Sequence, residues 1–348
     1  MNITFILPGY PSEPSGGFRV VYEYANHLVE RGHEVSVVHP AYTYSSGHPI
    51  YRSTSPRIDW QYIHEKVRMI YAPSLDEKYI PDADAVIATA WFTADYVHHY
   101  SHRKGKKFYF IQSFVTWYGF DKVKRTWLLP LNKIVISKWL YQLGLKFGVP
   151  VTDITYIPNA IDHNKFRLIN PISKRPKTIA MLYSRIRIKG SCDGIKALQL
   201  AKMAIPDLHA VLFGVPKRST EIPGWMDYIQ TPSQEDLVDK IYNGSSIYLC
   251  SSWNEGWGLP ASEAMACGCA VVSTKNGGSE EFCIHNQTAL LSPPKNPDEL
   301  AKNLILLLKN DPLRMKIAEN GLQYIRKFNY NKSTDLMESH LLSIVKQK

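Results

Sequence analysis

Glu255 and Glu263, with seven residues between them, flank a glycine-rich turn in Ser251-Ser252-Trp253-Asn254-Glu255-Gly256-Trp257-Gly258-Leu259-Pro260-Ala261-Ser262-Glu263. The apolar run Ile247-Tyr248-Leu249-Cys250 just before it reads as a buried strand, and Pro260 suits the first turn of a helix. Strand, glycine loop and helix in that order bring unpaired backbone N–H groups and the positive end of a helix dipole to one point. Such a point is an anion site, most often a phosphate site. Two carboxylates there would repel a phosphate and are better suited to accepting hydrogen bonds from hydroxyls. Phosphate and hydroxyls together imply a nucleotide sugar.

Arg185 and Lys189 follow an earlier apolar run, in Tyr183-Ser184-Arg185-Ile186-Arg187-Ile188-Lys189-Gly190. Breaking a sugar–phosphate bond builds negative charge on the leaving diphosphate. Two fixed cations at that place lower the barrier by an amount on the order of several kcal/mol. Gly16-Gly17 lies between the first strand and the first helix, where a dinucleotide-binding fold has its phosphate loop. The spacing is not Gly-x-Gly-x-x-Gly, and His39-Pro40 closes the second strand where such a fold has an acid, so a nicotinamide enzyme is not expected.

At this point the residues carry a family resemblance. Glu255-x7-Glu263 followed by Ala264-Met265-Ala266-Cys267-Gly268 resembles the signature of the family 4 retaining glycosyltransferases of GT-B fold. Gly16-Gly17, Ile157-Pro158-Asn159-Ala160-Ile161-Asp162, Arg185, Lys189-Gly190 and Gly277-Gly278-Ser279-Glu280-Glu281 follow the family's order over essentially the whole chain. The resemblance implies an α/β protein of two doubly wound Rossmann-like domains with a cleft between them. It assigns Glu263 to the ribose hydroxyls and Glu255 to the donor sugar near its reacting carbon, with Arg185 and Lys189 on the diphosphate. Gly16, Gly17, Arg187, Gly256, Trp257, Gly258, Leu259 and Glu281 join the donor pocket, and Gln112 and Trp91 contact the acceptor or the sugar. The backbone of Gly16 and Gly17 would meet either the diphosphate or the acceptor; the alternative is an ordinary glycine turn.

The implied donor is a nucleoside-diphosphate sugar, UDP or dTDP ahead of GDP, with no metal and no further cofactor. The implied acceptor is a hydroxyl of a glycan or lipid-linked glycan in cell-surface polysaccharide synthesis, glycosylated with retention. Two departures from the family stand out. Ser184 replaces its usual glycine and the spacing to the lysine is one shorter, which leaves open whether Arg185 alone takes the arginine role or Arg187 shares or takes it. Many members also carry a histidine after a strand of the first domain, whereas the corresponding positions here read Thr89-Ala90-Trp91 and Ile111-Gln112-Ser113-Phe114. Gln112 can hydrogen-bond a hydroxyl but exchanges no proton near neutral pH, which fits a step in which the departing phosphate takes the acceptor's proton. The rival readings are a GT-B nucleotide-sugar epimerase and a non-enzymatic glycan-binding or membrane-binding protein.

These residues need a scaffold of two domains, and 348 residues supply it. Short apolar runs at residues 2–7, 34–39, 85–89, 108–112 and 134–137, with an amphipathic helix at 18–31 after a loop at 8–17, predict one parallel α/β domain. A second set at 178–183, 209–213, 247–250, 270–273 and 289–291 predicts another, with helices at 312–327 and 333–348 after it. The expected boundaries are 1–168 for an acceptor domain, 169–328 for a nucleotide-sugar domain, and 329–348 for a helix crossing back to the first; residues 164–177, with Pro171 and Pro176, read as the linker.

Composition narrows the setting. Hydrophobic content of 45% with 21% charge is that of a globular protein, and no apolar run is long enough to cross a bilayer. With no signal peptide at its start, the protein is expected in the cytoplasm. Five cysteines, an odd number, read as free thiols; Cys267-Gly-Cys269 reads as buried small residues rather than half a metal site. Asp82-Ala83-Asp84 resembles the metal motif of the GT-A fold but precedes a strand instead of ending one, and reads as a polar lead-in. The net charge of +10 points to an anionic partner. Between Arg103 and Lys146 stand ten lysines and arginines against one acid, interleaved with Trp117, Trp127 and Trp139. That is either a solvated basic face or a patch for anionic lipid at the inner face of the membrane. Nucleic acid is not expected, because no recognition module accompanies the charge.

Overall fold

The apolar runs become strands because each is too short for a helix and is covered on both faces, as parallel sheets require. The computed structural model describes residues 1–45, 48–51, 58–115 and 118–346. They fall into two units, Met1–Ala160 with Tyr330–Lys348, and Ile161–Asn329.

In the amino-terminal unit the elements run β1 (Asn2–Ile6), α1 (Gly16–Glu30), β2 (Glu34–Pro40), β3 (Tyr42–Ser45), β4 (His48–Tyr51), β5 (Arg68–Ala72), β6 (Ala85–Ala88), α2 (Trp91–His99), β7 (Lys106–Ile111), α3 (Phe120–Trp127), β8 (Asn132–Val135), α4 (Lys138–Phe147) and β9 (Ile154–Tyr156). The sheet order is β5-β2-β1-β6-β7-β8-β9, with every pairing parallel. β3 and β4 form a separate antiparallel hairpin. Helix α1 begins at Gly16, so the loop expected through Gly17 ends at Ser15. Glycine is tolerated there because the first turn of a helix lacks intrahelical partners for its N–H groups in any case.

The second unit runs β10 (Thr178–Leu182), α5 (Ser191–Ala204), β11 (His209–Gly214), β12 (Asp227–Gln230), α6 (Gln234–Asp236), β13 (Ile247–Cys250), α7 (Leu259–Ala266), β14 (Ala270–Thr274), β15 (Ala289–Ser292), α8 (Pro297–Lys309) and α9 (Asp311–Ile325). Its sheet order is β12-β11-β10-β13-β14-β15, again all parallel. Helix α6 continues into a wider π-type turn at Leu237–Tyr242. The core gathers Ile179, Met181, Leu212, Ile247, Leu249 and Val272 of the sheet against Leu198 of α5 and Leu304 of α8.

The segment expected to be a linker is clasped into this unit instead, and the boundary falls at Ala160/Ile161. Arg175, 5% exposed, donates to the carbonyls of Tyr242 at 3.2 Å and Ser245 at 3.1 Å, to that of Cys267, and to Asn243 Oδ1 at 2.8 Å. Asn243 Oδ1 also accepts from the backbone of Ile169 at 2.8 Å. Composition suggests a linker, but one buried guanidinium holds the segment down.

After α9 the chain returns to the amino-terminal unit as α10 (Tyr330–Val345). Arg31 reaches Glu338 at 2.8 Å and Asp335 at 2.6 Å, and His33 reaches Glu338 at 2.8 Å. Arg31 and His33 together hold the Glu338 carboxyl below the usual range.

Candidate functional site

In a doubly wound sheet, ligands bind beyond the carboxyl ends of the strands where the winding reverses, because the two loops there diverge. In the second unit that point lies between β10 and β13, since the chain runs from β10 outward to β11 and β12 and then returns to β13. Arg185, Arg187 and Lys189 follow β10, and Ser252 and Glu255 follow β13. The residues singled out in the sequence therefore lie on the two loops that diverge at that point.

Lys189 donates to both carboxylate oxygens of Glu255, at 2.8 and 2.9 Å. Ser252 Oγ donates to Glu255 Oε1 at 2.7 Å, and the Glu255 backbone N–H reaches the carbonyl of Asn276, just past β14, at 2.9 Å. The lysine side chain is 27% exposed and the carboxylate 11%, so the pair is only partly open to solvent. An ammonium has three N–H bonds. With two on Glu255, one remains for an incoming anion.

Two glycines let the loops approach. Gly190 has φ of 61°, and a Cβ there would stand 2.1 Å from the Ser251 carbonyl oxygen. A Cβ on Gly278 would stand 2.5 Å from the Trp257 nitrogen. Neither place admits another residue without moving a backbone that carries the site.

The two arginines differ. Arg187 places its guanidinium 5.5 Å from the centre of the Trp253 ring, which also takes the Lys295 ammonium at 4.6 Å and donates from its indole N–H to Asp193 at 2.6 Å. Arg185 is exposed and makes no hydrogen bond or ion pair among the described residues. Arg185 is thus the cation available for a ligand, and Arg187 is already engaged. Trp253 was not singled out in the sequence, where it reads as one aromatic residue in a loop.

Glu263 lies on α7, is 2% exposed, and accepts from the Tyr242 hydroxyl at 3.1 Å. Sequence reasoning missed Tyr242 because it projects from the π-type turn, which has no periodic signal. Glu281 is 6% exposed in a short turn at Ser279–Glu281, and Gly256 and Gly258 are buried in the loop, with Leu259 opening α7. Trp257 of the same loop turns its side chain inward. Its side chain is 2% exposed and packs against Phe282 and Phe328, with ring centres at 5.6 and 5.1 Å, so the indole is core and only its backbone remains for a ligand.

The amino-terminal unit has its own reversal point, between β1 and β6. Gly16 and Gly17 are exposed in the first turn of α1, and Gln112 Nε2 donates to the Gly17 carbonyl at 2.9 Å. Trp91 opens α2 at 8% exposure, beside Tyr118 at a ring separation of 5.6 Å. Thr93 fixes that helix start by accepting from the backbone of Thr89 at 3.0 Å and Ala90 at 2.9 Å.

Residues 14–165 match Glycosyltransferase Family 4, and residues 162–324 match Glycosyl transferases group 1, so the two matches meet and run through both units. The chain belongs to glycosyltransferase family 4. Over 97 residues this family 4 chain is 34% identical to an uncharacterized glycosyltransferase of Methanocaldococcus jannaschii, which is 28% of either length. It is 31% identical over 121 residues to the D-inositol 3-phosphate glycosyltransferase of Corynebacterium efficiens, covering 35% of this chain and 27% of that one. It is 28% identical over 124 residues to O-antigen chain mannosyltransferase B of Escherichia coli, covering 36% and 32%. The chain thus spans under a third of the length of each of these relatives.

Among solved structures, HepE of Anabaena in complex with UDP and glucose superposes with a TM-score of 0.78 at 16% identity, over 99% of this chain and 100% of that one. The sucrose-phosphate synthase of Thermosynechococcus elongatus gives 0.76 at 17%, over 100% of both. At these identities the likeness is one of fold, the GT-B fold of two Rossmann-like units.

The basic stretch of this family 4 chain does not form one face. Trp127 is wholly buried and Trp117 lies outside the described residues. Lys104 and Lys133 are buried, Arg103 pairs with Asp82 at 2.8 Å, and Arg125 pairs with Asp95 at 2.7 Å. Trp127 is covered because Val123, Thr126 and Trp127 share one side of α3 and that side faces the core. Asp82 also meets Lys104, and Asp84 accepts from the Asn2 N–H at 2.7 Å, so both acids serve the approach to β6. Cys267 and Cys269 are buried, and burial pushes the Cys269 thiol up to about 11. No helix among the described residues is long and apolar enough to cross a membrane.

Proposed function

We propose that this chain transfers a sugar from a nucleoside-diphosphate sugar to a hydroxyl of a glycan or glycolipid acceptor, with retention at the anomeric carbon and without a metal ion. The observation that carries the reading is the Lys189–Glu255 pair at the reversal point of the second unit, with Arg185, which has no hydrogen-bond or ion-pair partner among the described residues, on the same connection as Lys189. In the step we envisage, the bond between the anomeric carbon and the diphosphate oxygen breaks and its electron pair stays on the diphosphate. Arg185 and the remaining N–H of Lys189 stabilise that charge, taking the part a divalent cation plays elsewhere. The acceptor oxygen bonds to the anomeric carbon on the face the phosphate leaves, and its proton passes to a departing phosphate oxygen. Glu255 faces the sugar, and Glu263 accepts from the ribose hydroxyls. Held by Tyr242, Glu263 loses little rotamer freedom on binding.

A uridine donor is favoured, because HepE, of the same fold, is described with UDP. A role in cell-surface polysaccharide synthesis is supported by the relative named for the O-antigen chain. If the acceptor is lipid-linked, contact with anionic membrane falls to exposed residues of the stretch 103–146, among them Lys106, Lys122, Lys138 and Lys146 with Phe120 and Leu128. Melting the protein with UDP, dTDP, GDP or ADP, each with and without EDTA, tests the core of this proposal. Ligand at a hundred times its dissociation constant adds about 2.7 kcal/mol, a readily measured shift. Stabilisation by one nucleotide regardless of EDTA supports it, and no shift with any nucleotide refutes it.

A further inference from the structure

The amino-terminal unit holds a cavity of about 500 Å³ at the carboxyl ends of β1, β6 and β7. Tyr10, Phe18, Trp91, Phe92, Tyr109 and Tyr118 supply its aromatic wall. Ser15, Thr89, Gln112 and Ser113 add neutral polar groups, and among the described residues none that lines the wall is charged. Lys122, whose ammonium stands 4.5 Å from the centre of the Trp91 ring, does not line it. The contrast with the second unit is sharp, where Arg185, Arg187, Lys189 and Glu255 crowd one reversal point.

This composition selects a ligand class. A phosphate moved into this cavity loses its water and meets no counter-charge on the described residues that line it. A neutral pyranose has hydroxyls at its edge and a patch of C–H groups on its face, and aromatic rings with a few placed polar groups match both. The wall is formed in advance, since Tyr10 and Trp91 are each 8% exposed and Tyr109 is 3% exposed. Gln112, with its amide already donating to Gly17, keeps its carbonyl oxygen to accept from a hydroxyl.

We infer that the acceptor group seated in this cavity is a neutral saccharide lying against Trp91 and Tyr118, and not a phosphorylated polyol. The inference rests on the transferase reading above. It separates this chain from the relatives named for D-inositol 3-phosphate, whose acceptor carries a charge that this wall does not meet.

The test titrates the full chain, saturated with UDP, with aryl glycosides of mannose, rhamnose and N-acetylglucosamine, and separately with D-inositol 3-phosphate and glucose 6-phosphate. At least one neutral glycoside is expected to bind ten or more times tighter than either phosphate ester. Trp91→Phe and the half-exposed Tyr118→Ala should each weaken that binding about five-fold or more while leaving UDP affinity unchanged. Melting curves establish that each variant folds, and either one suffices. Tighter binding of a phosphate ester, no binding of any neutral glycoside, or neutral binding indifferent to both variants overturns the inference. The UDP titration distinguishes the two readings: intact nucleotide binding with a preference for phosphate esters defeats this inference alone, and absent nucleotide binding defeats both.

Discussion

Lys189 and Glu255 meet across 66 residues of sequence, each on the loop that leaves one of the two strands flanking the reversal point of the second sheet. The contact exists only once β10 and β13 are paired, so it reports on the sheet as well as on the chemistry. Lys189→Ala is expected to lower kcat about 100- to 1000-fold with little change in donor KM, because the charge it meets develops in the transition state. Glu263→Ala should act the other way, raising donor KM more than it lowers kcat. Steady-state kinetics with the nucleotide sugar that the melting experiment selects decides between them, and the reverse pattern sinks the role assignment.

The two arginines make a sharper comparison. Arg187 leans on Trp253, and Arg185 makes no such ring contact among the described residues. Arg185→Ala should cost about ten-fold or more in kcat beyond what Arg187→Ala costs. Equal losses would show that Arg187 leaves the indole when donor binds.

Gly190 and Gly32 both have positive φ, at 61° and 84°, but only Gly190 has a backbone carbonyl where a Cβ would go. Gly32→Ala should cost roughly 1 kcal/mol through backbone strain. Gly190→Ala should cost about 3 kcal/mol or more and displace Lys189 besides. Urea denaturation of the two variants measures the gap, and equal costs would mean that the Ser251 carbonyl moves aside freely.

Arg175→Met should destabilise the second unit by more than about 3 kcal/mol, since several buried acceptors lose their donor at once. For a unit of that size this is a fall in Tm on the order of 10 °C. A smaller fall in calorimetry would mean that water enters to replace the guanidinium.

His39 is buried with Tyr22 Oη 2.8 Å from its Nε2, and burial lowers its pKa to about 4 from 6.5. The unfolded chain therefore binds the proton that the folded chain refuses, and stability rises with pH between about 4 and 6.5. This one group changes stability by up to about 3 kcal/mol across that window. Denaturant titrations at pH 4.5 and 7 should show the dependence, and His39→Gln should flatten it. His163 and His340, lowered by burial in the same direction, keep a residual slope in that variant.

The sheet interiors were legible in the sequence, whereas of the four edge strands of the two parallel sheets only β15 was. β5, β9 and β12, absent from the sequence reading, all lie at sheet edges. An edge strand needs no continuous apolar run, and Asp227–Gln230 with its exposed first and last residues has none. The site residues were legible where spacing carries them, as with Glu255 and Glu263, since a loop and the helix after it are local. What long-range packing decides was hidden: Trp257 buried against Phe328, Trp127 turned inward, Arg175 drawn onto distant carbonyls. Residue type alone does not separate an indole in a core from one at a surface.

Helix α10 has a consequence for how the protein is made. The amino-terminal unit uses residues from both ends of the chain, while Ile161–Asn329 is continuous. A ribosome delivers residues 1–160 of that unit first, but Arg31 and His33 wait for Asp335 and Glu338 until the whole of Ile161–Asn329 has been translated. The unit translated first is therefore the one finished last, closing over its sheet only after the continuous unit has been synthesised in full.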